Sequence, residues 1–234
     1  PRTMTIRGKN EIVLQDVLVG EVWLASGQSN MEWTFAQLAP EEQVFAATLQ
    51  SNRLVRAFHV DQHITAGMPL DDTSGSWKTC SQFLAPPMRS ISAVGFFFAL
   101  ELHEKLGVPV AILDANWGGQ RIEPFIPDEG YEAIGLNFRK HPSNPDPKVI
   151  TAQLKNMAAS VDLAIQAAEQ GRKIPFLVGD RVHGWAENGI YNAMIAPLLP
   201  YAITGAVWYQ GESNRSQADY FQKLQALSAG WSTV

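Results

Sequence analysis

The stretch VGEVWLA at residues 19–25 runs into GQSNMEWT at residues 27–34, and this junction decides the fold and the place of its chemistry. The first stretch is short and apolar, which predicts a buried strand, and the second begins with a glycine and polar residues suited to a helix start. A serine at such a strand-to-helix turn presents its hydroxyl beside backbone N–H groups. Ser29 is therefore a candidate nucleophile, although Gly, Ser and Asn alone would also suit an ordinary capped helix.

Two further segments have the same form. AILDANWGGQ at residues 111–120 is an apolar run that ends in a double glycine, and AVWYQGESN at residues 206–214 is an apolar run that ends in polar residues. Strands that alternate with amphipathic helical segments predict a parallel sheet covered by helices. The three motifs are therefore expected to meet at one edge of that sheet.

The segments GQSNMEW, LDANWGGQRIE and YNAMIAPLLPYAITGAVWYQGESN resemble the sialate O-acetylesterase family of SGNH-type hydrolases, to which acetylxylan esterases are closely related. The resemblance implies a three-layer α/β/α, flavodoxin-like parallel sheet that is incomplete in this chain. It also implies that residues 1–18 are the last hairpin of an accessory β-rich domain and that residues 19–234 are a catalytic domain lacking its C-terminal part. The implied activity is hydrolysis of acetyl esters on sugars without a cofactor, in an exported protein that is periplasmic, secreted or lysosomal.

The resemblance also implies roles for residues of the three motifs. Ser29 corresponds to the nucleophile, and the oxyanion is expected to bind the Ser29 N–H, an N–H of Gly118 or Gly119, and the side-chain amide of Gln210. Glu212 is expected to be buried and to hydrogen-bond the loop around Gln210 or Ser29, with a catalytic carboxylate as the alternative.

Other polar residues are expected around the mouth of the site: Gln28, Asn30, Gln120 and Arg121. The guanidinium of Arg121 suits a sugar carboxylate, and a salt bridge from Arg121 to Glu123 is the structural alternative.

The general base is the part of the family's site that the sequence does not show at its usual place. The family's base lies in an Asp-x-x-His motif after Gln-Gly-Glu, whereas every histidine here precedes Gln210: His59, His63, His103, His141 and His183. Asp180 and His183 have the Asp-x-x-His spacing but the wrong order along the chain, so a surface loop is the alternative interpretation. We therefore expect a missing C-terminal segment or a second chain to supply Asp and His. His59 and His63 flank the end of a predicted strand and are expected near the ligand.

Composition limits the classes of partner. The chain has 234 residues, 46% of them hydrophobic, a net charge of −5 and no cluster of Lys or Arg, which argues against nucleic acid and anionic membranes. No apolar run approaches the ~20 residues of a membrane span. No metal-like cluster is visible, and the single Cys80 leaves the redox compartment undecided. The expected partner is an acetylated sugar or glycan, and the competing hypothesis is a sugar-binding or structural fragment without turnover.

The periodicity predicts the main elements. A hairpin is expected within residues 1–18 and strands at residues 19–25, 54–60, 108–114 and 203–209, while residues 69–89 are expected to be irregular. Three helices are predicted, one capped by Ser92, one closed by Gly171 and one starting at Ser216. Their apolar positions are expected to face inward: Val94, Phe97, Phe98, Leu102 and Leu106 in the first; Ile150, Leu154, Met157, Val161, Ile165 and Ala168 in the second; and Phe221, Leu224 and Leu227 in the third.

Overall fold

The computed structural model of the protein describes residues 1–61, 63–135, 147–172 and 188–233. The strands are β1 Arg2–Arg7, β2 Glu11–Val17, β3 Glu21–Gly27, β4 Val55–Val60, β5 Gly75–Thr79, β6 Val110–Asp114 and β7 Gly205–Tyr209. The α-helices are α1 Ser29–Glu32, α2 Pro40–Thr48, α3 Cys80–Phe83, α4 Ala93–Leu106, α5 Asp128–Ala133, α6 Pro147–Glu169 and α7 Tyr220–Ser232.

Five of the described strands form one sheet in the order β5-β4-β6-β3-β7. β4, β6, β3 and β7 run parallel, with Ala25 opposite Asp114 and Gly27 opposite Tyr209, whereas β5 pairs antiparallel with β4. The predicted α/β class with a parallel sheet is confirmed, and each predicted strand starts one or two residues later than expected. β1 and β2 form the predicted antiparallel hairpin.

The chain divides into two compact units. The first consists of residues 1–63, 74–121 and 198–213, and the second of residues 64–73, 122–197 and 214–234. The sheet and the hairpin both belong to the first unit. The assignment of residues 1–18 to an accessory domain stays a prediction.

Helix α4 packs on β4 and β6 in the first unit and forms much of its core. Ser92 caps it as predicted, because its hydroxyl accepts a hydrogen bond from the Gly95 N–H at 3.0 Å. The predicted inward face is wrong at its ends, since Val94 is 36% and Leu106 53% exposed. The face with Gly95 lies on the sheet instead, where a Cβ on Gly95 would be 3.1 Å from the Ala25 Cβ, because small residues let a helix approach a sheet closely.

The prediction of irregular structure at residues 69–89 is also wrong, because β5 and α3 lie within it. β5 forms by pairing with β4 across residues 61–74, a connection longer than the short turns that a local pattern can reveal. Trp77 on this edge strand packs edge-to-face on Phe58, with ring centroids 5.7 Å apart, and on Tyr201. These two ring contacts support a role of Trp77 in anchoring the β5 segment to Phe58 and Tyr201.

The other two predicted helices form, but their inward faces differ from the prediction. In α6, Leu154 and Ile165 are 47% and 50% exposed and Val161 is also exposed, whereas Ala164 and Ala167 are buried. Helix α7 starts at Tyr220 rather than Ser216, with Asp219 at the N-cap position. Phe221 is 67% exposed, and Leu227 is buried as expected. The amphipathic period thus located both helices without fixing which side is covered.

A buried ion pair lies in the second unit. Lys223 on α7 is 4% exposed, and its Nζ lies 2.7 Å from Glu123 Oε1 and 3.0 Å from Asp219 Oδ2. Asn214, from the third motif, donates to Glu123 Oε2 at 3.0 Å and accepts from the Ile122 N–H at 2.9 Å. Helix α7 therefore fixes the end of the QGESN segment through a charged network.

Cys80 is expected to resist alkylation in the folded protein. Its side chain is fully buried, its thiol contacts the Val55 carbonyl oxygen at 3.4 Å, and burial raises the pKa of Cys80 to about 12. Because the thiolate is the reactive form, iodoacetamide at pH 8 should modify Cys80 only after denaturation, as read by intact mass. Rapid modification of the native protein would contradict this burial.

No helix in the described part of the chain is long and apolar enough to cross a membrane.

Candidate active site

The Gly27–Ser29 junction is built as the sequence predicts. Gly27 ends β3 with φ 149°, and a Cβ there would overlap the carbonyl oxygen of Tyr209, so this position requires glycine. Ser29 is the first residue of α1 and is half-buried. Its hydroxyl makes no hydrogen bond to the residues described and opens into a cavity of about 570 Å³. The Ser29 side chain is thus accessible from this cavity.

Hydrogen bonds bring the three predicted motifs together. The buried Gln28 accepts at Oε1 from Gln210 Nε2 at 3.0 Å and from the Ser213 N–H at 3.2 Å. The Ser213 hydroxyl in turn donates to the Gly119 carbonyl oxygen at 3.1 Å. Gln28, predicted at the mouth, therefore fixes the third motif next to the first.

The side-chain amide of Gln210 is hydrogen-bonded to other groups of the protein. Its Nε2 donates to Gln28 Oε1 and, at 3.2 Å, to the carbonyl oxygen of Gln120. An amide nitrogen has two hydrogens, so both are occupied in this conformation. Donation to an oxyanion would require Gln210 to give up one of these partners.

The two glycines of the second motif differ in their contacts. The Gly118 N–H donates to Glu32 Oε2 at 2.7 Å, and a Cβ on Gly118 would lie 3.6 Å from the Ser29 Cβ. Gly119 has φ 75° and is exposed, and its N–H donates to no other residue in the described ranges. Gly119 therefore has the available donor of the pair, and Gly118 lies beside the serine.

Two histidine–carboxylate pairs line the same cavity as Ser29. His59 Nδ1 lies 2.8 Å from Oδ2 of the buried Asp114, and His63 Nε2 lies 2.9 Å from Glu32 Oε1. Sequence reasoning placed both histidines near the ligand but missed their partners. Two positions are the only local signals that could have identified these partners. Glu32 lies three residues after Ser29, and Asp114 lies at the end of a strand.

Asp114 is held by more than His59. Its Oδ1 accepts from Asn116 Nδ2 at 2.6 Å, and its Oδ2 accepts from the Ser92 N–H at 3.3 Å. A carboxylate with three donors is well satisfied, and it leaves Nε2 of His59 as the ring nitrogen not facing Asp114. This arrangement can orient an imidazole for proton transfer.

The structure places Glu212 and Arg121 differently from the prediction. Glu212 is exposed rather than buried, and its Oε1 accepts from Asn30 Nδ2, so it bonds the first motif near Ser29 while remaining in solvent. Arg121 is exposed, and the cation that lines the cavity is Arg89. Glu123 pairs with Lys223. The guanidinium that lines the cavity was therefore missed, since Arg89 lies outside all three motifs.

Asp180 and His183 lie outside the described residues. Within the described ranges, no group of three or more His, Cys, Asp or Glu side chains is arranged to hold a metal ion.

The fold and the site together define an α/β domain of the SGNH-hydrolase type, with a serine at the carboxyl end of a parallel strand. The crystal structure of a carbohydrate acetylesterase from Xanthomonas citri superposes with a TM-score of 0.69 and 29% identity, over 100% of this chain and 43% of that one. No family model matches the chain.

Curated relatives carry the name sialate O-acetylesterase. The protein from Rattus norvegicus is 33% identical over 93% of this chain and 40% of its own length, and that from Mus musculus is 34% identical over 90% and 38%. The predicted family is confirmed: over most of its length, this chain is a homologue of the sialate O-acetylesterases. It spans about two fifths of the length of these relatives.

Proposed function

We propose that this chain carries the nucleophile and oxyanion donors of a carbohydrate O-acetylesterase that removes acetyl groups from sugar hydroxyls. The observation that carries the proposal is the Ser29 hydroxyl, unbonded within the described residues and open to a cavity beside the Gly118 turn. The relatives' names favour an acetylated sialic acid as substrate over acetylxylan. Arg89 in the cavity is a group that could bind a sugar carboxylate.

The proposed reaction is acyl transfer through serine. Ser29 attacks the acetyl carbonyl, the sugar hydroxyl leaves, and water then releases acetate from the acyl-enzyme. The oxyanion accepts from the Ser29 N–H and the Gly119 N–H, and from Gln210 if that side chain releases Gln120. Each such donor is typically worth about 3 kcal/mol of the barrier.

The proposed source of the base is a C-terminal segment or a second chain that brings Asp and His. The proposal is supported by the family resemblance, in which the Asp-x-x-His motif follows Gln-Gly-Glu. Two other sources compete with it: Asp180 with His183, and the cavity pair of His59 with Asp114. An exported location is likewise proposed, and fractionation of cells expressing the full-length gene would check it.

The second candidate is a sugar-binding or structural piece without turnover. The engagement of both Gln210 Nε2 hydrogens within the protein favours it, because that amide is then not available to an oxyanion.

Labelling of Ser29 by a fluorophosphonate separates these possibilities. We expect slow labelling and little p-nitrophenyl acetate hydrolysis for the chain alone, and a large increase in both when the downstream segment is supplied. Mass spectrometry of the labelled peptide identifies the site, and release of acetate from acetylated sialic acid and acetylxylan identifies the substrate.

Variants of the chain alone identify the base. Labelling that His183→Ala abolishes would assign the base to the upstream Asp-x-x-His, whereas labelling abolished by His59→Ala would assign it to the cavity pair. No labelling with or without the downstream segment would leave the binding piece as the better description.

A further inference from the structure

One carboxylate joins three separate segments at the Ser29 cavity. Glu32 lies on the same short helix as Ser29, its Oε2 accepts from the Gly118 N–H at 2.7 Å, and its Oε1 lies 2.9 Å from His63 Nε2. Gly118 is 86 residues from Glu32 in sequence, so the contact is purely tertiary. The helix of the nucleophile, the glycine turn and a histidine are thus connected through a single side chain.

The Glu32 carboxylate fills the space beside Gly118. A Cβ on Gly118 would overlap Glu32 Oε2, which means that the carboxylate occupies the space a side chain would take. The preceding Trp117 donates its N–H to the Gly27 carbonyl oxygen at 3.0 Å. The turn is therefore fixed on one side by β3 and on the other by Glu32.

His63 is held on two sides in the same way. Its ring stacks on Trp117, with centroids 4.8 Å apart and an interplanar angle of 13°, while Nε2 faces Glu32. His63 is 43% exposed in its side chain and lines the cavity. An imidazole fixed by a stack and a hydrogen bond presents a defined surface to a ligand.

The charge of Glu32 suits this double role. The hydrogen bond from His63 is the main cause that lowers the pKa of Glu32, burial opposes it, and the His63 charge and the Gly118 N–H add to the lowering. The ionised carboxylate is acceptor-only and can serve two donors, whereas a glutamine offers one acceptor oxygen.

We propose that Glu32 is a positioning residue that fixes the Gly118 turn beside Ser29 and holds His63 against the cavity. Glu32 does not touch the reacting atoms in this proposal. It keeps the Gly118 N–H occupied, so that the Gly119 N–H is the one of the pair left for the acyl oxygen. The kinetic part of the proposal rests on the proposed function, and the structural part does not.

The structural part is tested by hydrogen exchange of individual amides in the full chain at pH 7. In Glu32→Ala, the Gly118 amide is expected to exchange at least about tenfold faster than in the unchanged protein, because its acceptor is lost. Glu41→Gln, a change at an exposed glutamate on α2, is the matched control and should leave Gly118 exchange unchanged. Unchanged protection of Gly118 in Glu32→Ala would overturn the proposal.

The kinetic part is tested on the chain supplied with its downstream segment. We expect Glu32→Gln to lower kcat about tenfold and Glu32→Ala about a hundredfold, with KM changed less than about threefold, since positioning acts mainly on the transition state. The partial activity of the isosteric Glu32→Gln separates positioning from misfolding. Wild-type kcat in Glu32→Ala would overturn the positioning role.

The two proposals fail in distinguishable ways. If the unchanged protein neither reacts with fluorophosphonate nor releases acetate, the proposed esterase and the kinetic role of Glu32 both fall. The exchange rate of Gly118 still decides in that case whether Glu32 holds the turn.

Discussion

Replacing Ser29 by alanine is expected to lower kcat/KM for acetyl ester hydrolysis by at least about 10³-fold and to abolish fluorophosphonate labelling. In the proposed reaction, the Ser29 hydroxyl oxygen forms the ester bond to the acetyl group, and this bond is later broken by water. No other side chain can replace that oxygen in this bond. The measurement is p-nitrophenyl acetate hydrolysis by the chain together with its downstream segment. The residual rate reports what the oxyanion donors achieve with water alone.

Ser26→Ala is the matched control for this prediction. Ser26 lies three residues earlier on β3, is fully buried, and has a hydroxyl without a hydrogen-bond partner among the described residues. Removing an unsatisfied buried hydroxyl should not destabilise the protein, and activity should stay within about twofold. Full activity in Ser29→Ala, or equal losses in both variants, would contradict the assignment of the nucleophile.

Lys223→Ala is expected to cost about 3–5 kcal/mol of unfolding free energy, which is the usual cost of removing one partner of a buried ion pair. The change leaves Glu123 largely buried, with a side chain 13% exposed, and without its cation. Urea denaturation followed by tryptophan fluorescence measures the loss. A change below about 1 kcal/mol would show that Glu123 is stabilised without Lys223.

Lys105→Ala is the control for a lysine in an exposed pair. Its Nζ lies 2.8 Å from Glu101 Oε1 one turn away on α4, with the Lys105 side chain 71% exposed. Solvent screens such a pair, so the free energy of unfolding should stay nearly unchanged.

The contribution of Lys223 to the free energy of unfolding changes with pH in a defined direction. Burial alone would lower the pKa of Lys223, but the hydrogen bonds that Lys223 donates to Glu123 and Asp219 overcome this effect, and the net pKa lies above the usual 10.5. Burial alone would raise the pKa of Glu123, yet Lys223 and Asn214 hold it below the usual 4.5. The stability that Lys223 adds is therefore full between these values, and it is lost as the pH falls below 4.5 or rises above 10.5.

The sequence predicted those features that depend on neighbouring residues. The apolar runs at residues 19–25 and 203–209 located two strands to within two residues, and the Ser92 cap gave the start of α4. The position of Ser29 at a strand-to-helix junction followed from the same local pattern. A turn, a cap or a hydrophobic repeat lies within a few residues, so a local pattern is enough to locate such an element.

The inward faces of the helices could not be predicted in this way. Phe221 and Ile165 satisfy the helical period but are exposed, because burial depends on which neighbouring elements are present and on how closely small residues such as Gly95 allow them to approach. β5 was missed because it pairs with β4 across residues 61–74, a connection longer than a hairpin turn.

The sequence by itself thus determined the parallel sheet, the serine at its edge and the three motifs that meet there. Only the tertiary structure decided which of their groups are already engaged: Gln210 with Gln28 and Gln120, Gly118 with Glu32, and His59 with Asp114. The physical reason is the separation of the partners, which is 182 residues for Gln28 and Gln210 and 55 for His59 and Asp114. A local pattern records where a side chain begins, whereas the hydrogen bond it makes depends on which distant segment the fold brings within 3 Å.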